Sequence, residues 1–362
     1  MKGAGTERSD RWSRASGAVL AALLTPAVLL VTGSAPRISA AKSSDSAARD
    51  TSTMLRELAD DARACAPLFR SKLAAEFIGG VSRLPAIAPR TVAFDSTRAH
   101  YWSAFEYAAL SPAERAPLLT RELGESFYYS TRYGSPLAYA RPLEILGNHG
   151  LSSVAGRRLA DFGYGTIGHL RLLAGLGADV TGIEVDPLLR ALYSWPGDQG
   201  AIGRGRVRLV SGRWPAEAAL VREVGEGFDC FLSKNTLKNG YLHPAEPVDP
   251  RRLVHLGVED SAFVRAMYGM LKPGGWALIY NLCPAPAPPG KPYIPWADGR
   301  CPFSRPMLES AGFQVIAFDA EDSAEARRMG HALGWDDPEG SKMDLEHDLF
   351  ATYTLLRRPP HP

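Results

Sequence analysis

Residues 158–169 read Arg-Leu-Ala-Asp-Phe-Gly-Tyr-Gly-Thr-Ile-Gly-His. The apolar start of this segment predicts a short buried strand, and its glycines predict a tight turn into a helix that continues through Leu176. Glycines lack Cβ atoms, so a ligand can approach the backbone closely, and the free N–H groups at the helix start attract negative charge. The segment therefore predicts a ligand-binding strand–turn–helix unit.

The next strand of the sequence supplies an acidic partner for this turn. Residues 178–183 are mostly apolar and end at Glu184, about twenty residues after the turn, where a carboxylate can accept both hydroxyls of a ribose. Turn and acid together predict an adenosine-containing ligand. The spacing of Gly163, Gly165 and Gly168 also satisfies GxGxxG, so NAD-dependent oxidoreduction is an alternative, and a purely structural corner is another.

Further motifs favour one class of adenosine ligand. From Leu159 to Arg358 the chain resembles the class I S-adenosylmethionine (SAM) dependent methyltransferases in the order and spacing of its motifs. Asp161 resembles the acidic residue that faces the methionine part of SAM in that family, whereas dinucleotide folds usually carry an apolar residue there. The other matching segments are residues 228–233 (the fourth strand), 272–280 (the Lys-Pro-Gly-Gly turn into the fifth strand), 307–316 (the last helix and its strand) and 349–356 (the closing strand).

This resemblance implies a Rossmann-like α/β fold with a mostly parallel seven-stranded sheet flanked by helices, and SAM as the cofactor. The chain departs from the family pattern in two places: Ile167 replaces a third glycine, and Gly212-Arg213-Trp214 replaces the Gly-Asp that reaches the adenine. Trp214 either stacks on the adenine or packs in the core. The implied cofactor-binding residues are Asp161, Gly163, Tyr164, Gly165, Glu184, Arg213, Trp214 and Ser233.

Two polar segments are candidates for the acceptor site. After the fourth strand, Lys234 and Asn235 are predicted to orient a small-molecule acceptor, and His243 to take a proton, although a histidine before a proline is more often a surface residue. Before the glycine turn, Tyr129, Arg132 and Tyr133 are predicted to form a lid or substrate-contacting segment. The alternative for that second segment is aromatic packing against the sheet.

The N-terminus predicts targeting. Basic residues precede an apolar run at 18–32 and small residues at 39–41, which predicts an export signal or membrane anchor over residues 1–41. A mis-assigned start would instead leave the protein cytoplasmic. Residues 42–150 are predicted to be a linker and a helical cap or lid region, with helices at 54–78 and from Ser111 to Tyr129, and residues 151–358 the methyltransferase domain.

Composition limits the partners. With 41 Lys and Arg against 39 Asp and Glu, the formal net charge is +2, so no strong field attracts nucleic acid, and a membrane is implied only by the N-terminal segment. The four cysteines form no CxxC pair, which argues against a metal site and predicts core thiols. The sequence thus predicts a SAM-dependent methyltransferase acting on a small molecule. The alternatives are an NAD-dependent oxidoreductase and a catalytically degenerate SAM-binding protein.

Overall fold

A computed structural model describes residues 44–338 and 342–360, so the predicted targeting segment 1–41 lies outside the described residues. The described chain forms one three-stranded and one eight-stranded sheet. The strands are β1 (Arg90–Phe94), β2 (Tyr101–Trp102), β3 (Leu119–Leu123), β4 (Arg158–Phe162), β5 (Asp179–Glu184), β6 (Gly200–Ile202), β7 (Gly205–Ser211), β8 (Phe228–Lys234), β9 (Leu271–Cys283), β10 (Gln314–Glu321) and β11 (Phe350–Arg357).

The eight-stranded sheet has the order β10-β11-β9-β8-β4-β5-β7-β6. The pairs β4–β5, β4–β8, β5–β7 and β8–β9 are parallel, whereas β11 runs antiparallel to β9 and β10. This arrangement confirms the predicted Rossmann-like, mostly parallel sheet. The predicted count of seven strands is one short, because the Gly203 turn folds β6 back as an antiparallel edge strand on β7.

Helices cover both faces of this sheet. The side chains of Leu159 and Leu232 pack in the core on one face, and those of Ala160 and Phe231 pack in the core on the other face. Neighbouring residues of a strand alternate in this way because their side chains point to opposite faces of the sheet. The helices are α1 (Ser44–Cys65), α2 (Lys72–Gly79), α3 (Ala104–Ala109), α4 (Pro112–Arg115), α5 (Glu125–Ser130), α6 (Ala140–Asn148), α7 (Gly168–Gly175), α8 (Pro187–Leu192), α9 (Ala218–Val224), α10 (Asn239–Leu242), α11 (Asp260–Met270), α12 (Arg305–Ser310), α13 (Ser323–Ala332) and α14 (Leu345–Asp348).

The N-terminal region is less helical than predicted. A single helix over 54–78 is wrong, since α1 ends at Cys65 and α2 begins after Ser71, whose side chain accepts the N–H of Ala74 at 3.2 Å. Residues from Ser44 onward are helical where a linker was predicted. The capping box at Ser111 is present, but its helix ends at Arg115, and the chain continues as β3, which pairs antiparallel with β1.

The N-terminal region shares its core with the large sheet. The buried side chains of α1, α2 and α6 belong to the same cluster as those of β4, β5 and β8. A buried ion pair reinforces the contact: the Arg90 guanidinium donates to both oxygens of Asp198 at 2.9 and 3.0 Å, and the Tyr128 hydroxyl donates to Asp198 at 2.8 Å. The cap region and the sheet therefore form one packing unit.

Candidate cofactor site at the glycine turn

The turn after β4 depends on two glycines with left-handed backbone conformations. Gly163 has φ 74° and Gly165 has φ 58°, values that side chains with a Cβ rarely adopt. The Gly163 N–H donates to the Ile183 carbonyl at 2.8 Å, which ties the turn to the end of β5. The turn therefore lies at the carboxyl edge of the parallel strands, the usual ligand-binding edge of open α/β sheets.

Glu184, at the end of β5, is in direct contact with the turn. One carboxylate oxygen accepts the Gly165 N–H at 3.2 Å, and the other accepts the N–H groups of Val185 and Asp186 at 2.8 and 3.2 Å. Burial raises the pKa of the Glu184 carboxyl, and these backbone donors act against that shift. The structure therefore brings together the turn and the acid that the sequence analysis paired.

Side chains fill the space above both turn glycines. A Cβ on Gly165 would lie 2.8 Å from Cγ of Tyr133, and a Cβ on Gly163 would collide with the side chain of Thr236. The Thr236 hydroxyl also donates to the Gly163 carbonyl at 3.3 Å. A nucleoside can reach this part of the backbone only after the Tyr133 ring moves.

Two of the three predicted lid residues lie at the turn. The Arg132 guanidinium donates to Asp186 at 2.5 Å and to the Tyr133 hydroxyl at 2.8 Å, and that hydroxyl donates to Asp186 at 3.3 Å. The preceding residue, Thr131, has φ 46° and donates its hydroxyl to the Gly165 carbonyl at 2.8 Å. Residues 131–133 therefore form a cover over the turn, which we call the lid segment.

Tyr129 does not belong to the lid segment. Its ring is fully buried, and its hydroxyl donates to the Pro85 carbonyl at 2.6 Å. The lid role predicted for Tyr129 is therefore wrong. The alternative prediction, aromatic packing against the sheet unit, is the one that applies to this residue. Its backbone carbonyl, two residues before the lid segment, accepts the Thr166 hydroxyl at 2.5 Å and so connects this part of the chain to the turn.

A buried polar cluster lies beneath the turn. Asp161 and His169 are both buried and pair through Oδ2 and Nε2, and His169 stacks on Tyr139 with ring centroids 3.5 Å apart. Burial lowers the pKa of His169. Lys234 lies 5.4 Å from the centroid of the same Tyr139 ring, and burial lowers its pKa to about 8, with Asp161 opposing the shift.

Two buried side-chain atoms of this cluster, Oδ1 of Asp161 and Nδ1 of His169, have no hydrogen-bond partner within residues 44–338 and 342–360. The Ser233 hydroxyl is also buried without a partner, but Ser233 follows Leu232, the register partner of Asp161, so its side chain lies on the opposite face of the sheet. Buried polar groups are normally satisfied, so the unpaired atoms of Asp161 and His169 indicate a place for a ligand beneath the turn. The sequence analysis did not assign Tyr139 or His169 to the site, although His169 is the second residue of α7, directly after the glycine turn.

Other predicted residues have different surroundings. The Tyr164 ring points into the core, because a Cβ on Gly182 would lie 2.7 Å from it, so a cofactor contact through its side chain is wrong. The Asn235 side chain accepts the Leu282 N–H at 2.7 Å and so holds β9 instead of facing outward. Trp214 is buried among the rings of Phe162, Phe231 and Phe263. Of the two predicted roles, core packing is therefore the one observed, and adenine stacking is not.

Arg213 and His243 remain solvent-accessible. Arg213 is exposed, and its N–H donates to Glu217 at 2.7 Å. His243 pairs with Asp260 at 2.9 Å at the edge of an open cavity of about 560 Å³ that His255 also lines. Their described partners, Glu217 and Asp260, are not residues of the turn or of the buried cluster, so their site roles stay predictions.

The described residues carry neither a metal-binding cluster nor a membrane-spanning helix. Across 44–338 and 342–360, no group of three or more His, Cys, Asp or Glu side chains is placed to hold a metal ion. All four cysteines are buried and free. In the same ranges, no helix combines the length and apolar character needed to cross a membrane.

The sequence matches no protein-family model and no curated protein. Solved structures with similar folds include a putative sarcosine dimethylglycine methyltransferase from Galdieria sulphuraria (13% identity, covering 64% of this chain and 88% of that one, TM-score 0.38) and the (4+2)-cyclase SpnF (18%, 60% and 80%, TM-score 0.37). A third is phosphoethanolamine N-methyltransferase 2 from Haemonchus contortus, in complex with phosphomonomethylethanolamine and S-adenosylhomocysteine (12%, 75% and 68%, TM-score 0.36). Likeness at this level leaves the reaction open.

Proposed function

We propose that this protein is a SAM-dependent methyltransferase that acts on a small-molecule acceptor. One observation carries the proposal: Glu184 Oε2 accepts the N–H of Gly165, so the ribose-binding acid and the glycine turn meet at one point of the sheet edge. The Gly165 nitrogen and Glu184 Oε2 are 3.2 Å apart. If the turn and the acid lay on separate faces, the proposal would fail.

The buried cluster suits the amino acid end of SAM. The unpaired Oδ1 of Asp161 can accept a hydrogen bond from an ammonium group, and the backbone of the two turn glycines becomes accessible once the Tyr133 ring moves. Glu184 would accept from the ribose hydroxyls with the lone pairs that its backbone donors leave free. The residues present therefore fit this cofactor, provided that the lid segment opens.

The same cluster argues against a dinucleotide. A pyrophosphate at the glycine turn would bring negative charge close to the buried carboxylate of Asp161, and this repulsion is strong where water is excluded. An ammonium at that place is attracted instead. The position of Asp161 therefore favours SAM over NAD.

Lys234 is the best placed residue for proton handling at this site. SAM, when bound, supplies a methyl carbon activated by the adjacent sulfonium. Lys234 ends β8 beside Asp161, and with a pKa of about 8 it is partly neutral at mildly alkaline pH and able to accept a proton. Tyr139 holds its ammonium form through the ring face. We assign Lys234 the role of proton acceptor.

A second candidate function is cofactor binding without catalysis. It is favoured by the filled space at the turn, where Tyr133 and Thr236 cover the glycines, and by the exposed Arg213 in place of the acid that reaches the adenine. A protein of this kind would bind SAM and use it as a signal or a structural ligand. Turnover measurements separate it from the enzyme.

The test is calorimetric titration with S-adenosylhomocysteine and with NAD. The wild type is expected to bind S-adenosylhomocysteine and not NAD, and Glu184→Gln to bind it about tenfold more weakly, because one charged acceptor is lost. Glu223→Gln, on an exposed side chain, is the matched control. Binding of NAD alone would refute the proposal, and binding without turnover across a panel of acceptors would select the second candidate.

A further inference from the structure

A second cavity lies at the opposite end of α7 from the glycine turn. Its volume is about 370 Å³, and its wall includes Gly175, the last residue of α7, and the Gly203 turn between β6 and β7. The other side of the cavity comes from the N-terminal region, between Gly80 and Pro85. The cavity is therefore built where the cap region packs on the sheet unit.

Three arginines line this cavity: Arg83, Arg171 and Arg204. None of them forms a salt bridge with a described residue, and no carboxylate lines the cavity. Arg171 donates through Nη1 to the Tyr128 hydroxyl at 3.1 Å and the Gly197 carbonyl at 2.8 Å, while its buried Nε has no partner in the described part of the chain. Arg83 and Arg204 are exposed and Arg171 is half-buried, so a bound anion could reach guanidinium groups that have no carboxylate partner in the described residues.

The rest of the cavity wall consists of apolar side chains and glycines. Leu84, Pro85, Leu172 and Ile202 supply the apolar surface, and Gly175 leaves open space beside it. A Cβ on Gly80 would lie 3.2 Å from Nη2 of Arg83 and 3.3 Å from Leu172, so Arg83 and α7 come together over that glycine. A purely inorganic ion would leave the apolar wall uncovered. A ligand with an apolar body and an acidic head would cover it and pair with the guanidinium groups.

We infer that this cavity, which we call the arginine pocket, is a binding site for a small organic anion, a phosphate or carboxylate carried on an apolar body. The ligand's acidic head pairs with Arg83, Arg171 and Arg204, and its body lies against Leu172 and Ile202. Planar guanidinium groups bind such heads with two parallel hydrogen bonds. The site is separate from the glycine turn and does not depend on the proposed activity.

The arginine pocket is connected to the turn by hydrogen bonds. Arg171 holds the Tyr128 hydroxyl, and the carbonyl of Tyr128 accepts the Tyr193 hydroxyl at 2.8 Å. That hydroxyl in turn accepts the N–H of Ile167, in the turn itself, at 3.4 Å. A ligand that draws Arg171 toward the pocket therefore acts on residues that precede the lid segment.

Phenyl phosphate is the probe, titrated calorimetrically into the full-length protein at about 0.1 M salt, where surface charges are screened. We expect saturable binding by the wild type, weakened at least tenfold in Arg204→Ala, whose guanidinium donates a hydrogen bond to the Leu176 carbonyl at 3.3 Å and forms no ion pair with a described residue. Arg222→Ala, an exposed arginine on α9, is the matched control and should bind like the wild type. Benzyl alcohol, which lacks the charge, should not bind.

A second variant leaves every arginine in place. Gly175 has open space where its Cβ would be and an ordinary φ, so Gly175→Leu should fill the arginine pocket and abolish binding without changing the thermal midpoint by more than a few degrees. The inference is overturned if the wild type shows no saturable heat, if Arg222→Ala weakens binding as much as Arg204→Ala, if Gly175→Leu binds normally, or if phenyl phosphate competes with S-adenosylhomocysteine for one site.

Discussion

Replacing Tyr133 by alanine should make ligand binding at the glycine turn tighter. The ring lies over Gly165 and must leave before a nucleoside can reach the backbone, so part of the binding free energy is spent on moving it. Tyr133 is 44% exposed, so a little more than half of the side chain, about 100 Å², is covered. At about 25 cal/mol per Å², uncovering that area costs about 2.5 kcal/mol.

The hydrogen bonds of the lid segment add little to this cost. The Arg132–Asp186 pair is half exposed on the arginine side, and such pairs are worth less than about 1 kcal/mol. The ring recovers part of its contact area when it repacks, so we expect Tyr133→Ala to bind S-adenosylhomocysteine about tenfold more tightly, with a faster association rate. Arg132→Ala should shift the affinity in the same direction by less.

The assay is calorimetric titration combined with stopped-flow association. Tyr133→Phe is the matched control, because it keeps the ring over Gly165 and removes only the hydroxyl contacts with Arg132 and Asp186, and it should stay close to the wild type. Weaker or unchanged binding by Tyr133→Ala would refute the reasoning. It would show that the ring contacts the bound ligand or that the ligand does not approach Gly165.

Three further predictions concern stability and processing. Asp198→Ala should lower the free energy of unfolding by about 3–5 kcal/mol in denaturant titration, because it leaves the Arg90 charge buried and unpaired. Asp249→Ala, in an exposed pair with Arg251, is the matched control and should unfold like the wild type. The pKa of Lys234 falls from 10.5 to about 8 on folding, so the unfolded chain holds more protons between about pH 8 and pH 10.5 and the native state is penalised below pH 8. Lys234→Met should therefore be more stable than the wild type at pH 7, by up to about 3 kcal/mol, with an advantage that shrinks as the pH approaches 10; a constant difference across this range would contradict it. If residues 1–41 act as a cleaved export signal, N-terminal sequencing of fractionated protein should find a mature start near residue 42 outside the cytoplasm, and an intact leader in the cytoplasmic fraction would exclude export.

The large sheet could be predicted from the sequence because its signals are local. The strand before Gly163, the strand that ends at Glu184 and the Lys-Pro-Gly-Gly segment near the start of β9 each join an apolar run to a recognisable acidic or glycine residue. The extra strand β6 was missed because it is only three residues long and pairs across a turn at Gly203. Its pairing depends on β7, not on its own composition.

The N-terminal region could not be predicted in the same way. The segment Leu119-Thr-Arg-Glu-Leu123 is mostly exposed, so no alternation of apolar and polar residues marks it as a strand, and its partner β1 lies about 25 residues earlier. At Ser111 the capping signal was correct, but a cap specifies where a helix starts, not how long it is. The contacts of Tyr133 with Gly165 are likewise tertiary, since more than thirty positions separate the two residues along the chain.

The shared core of the cap region and the sheet bears on proteolysis. The turn around residues 152–157, in which Ser152, Ala155 and Gly156 are exposed, is the covalent link between them, whereas the contacts across the boundary are apolar side chains and ion pairs such as Arg90–Asp198 and Arg141–Asp322. A protease that cuts this link would leave two fragments that remain associated and migrate as one species until denaturant is added. Expressed alone, the fragment that begins after the link would expose the face that α1, α2 and α6 cover, and it should aggregate.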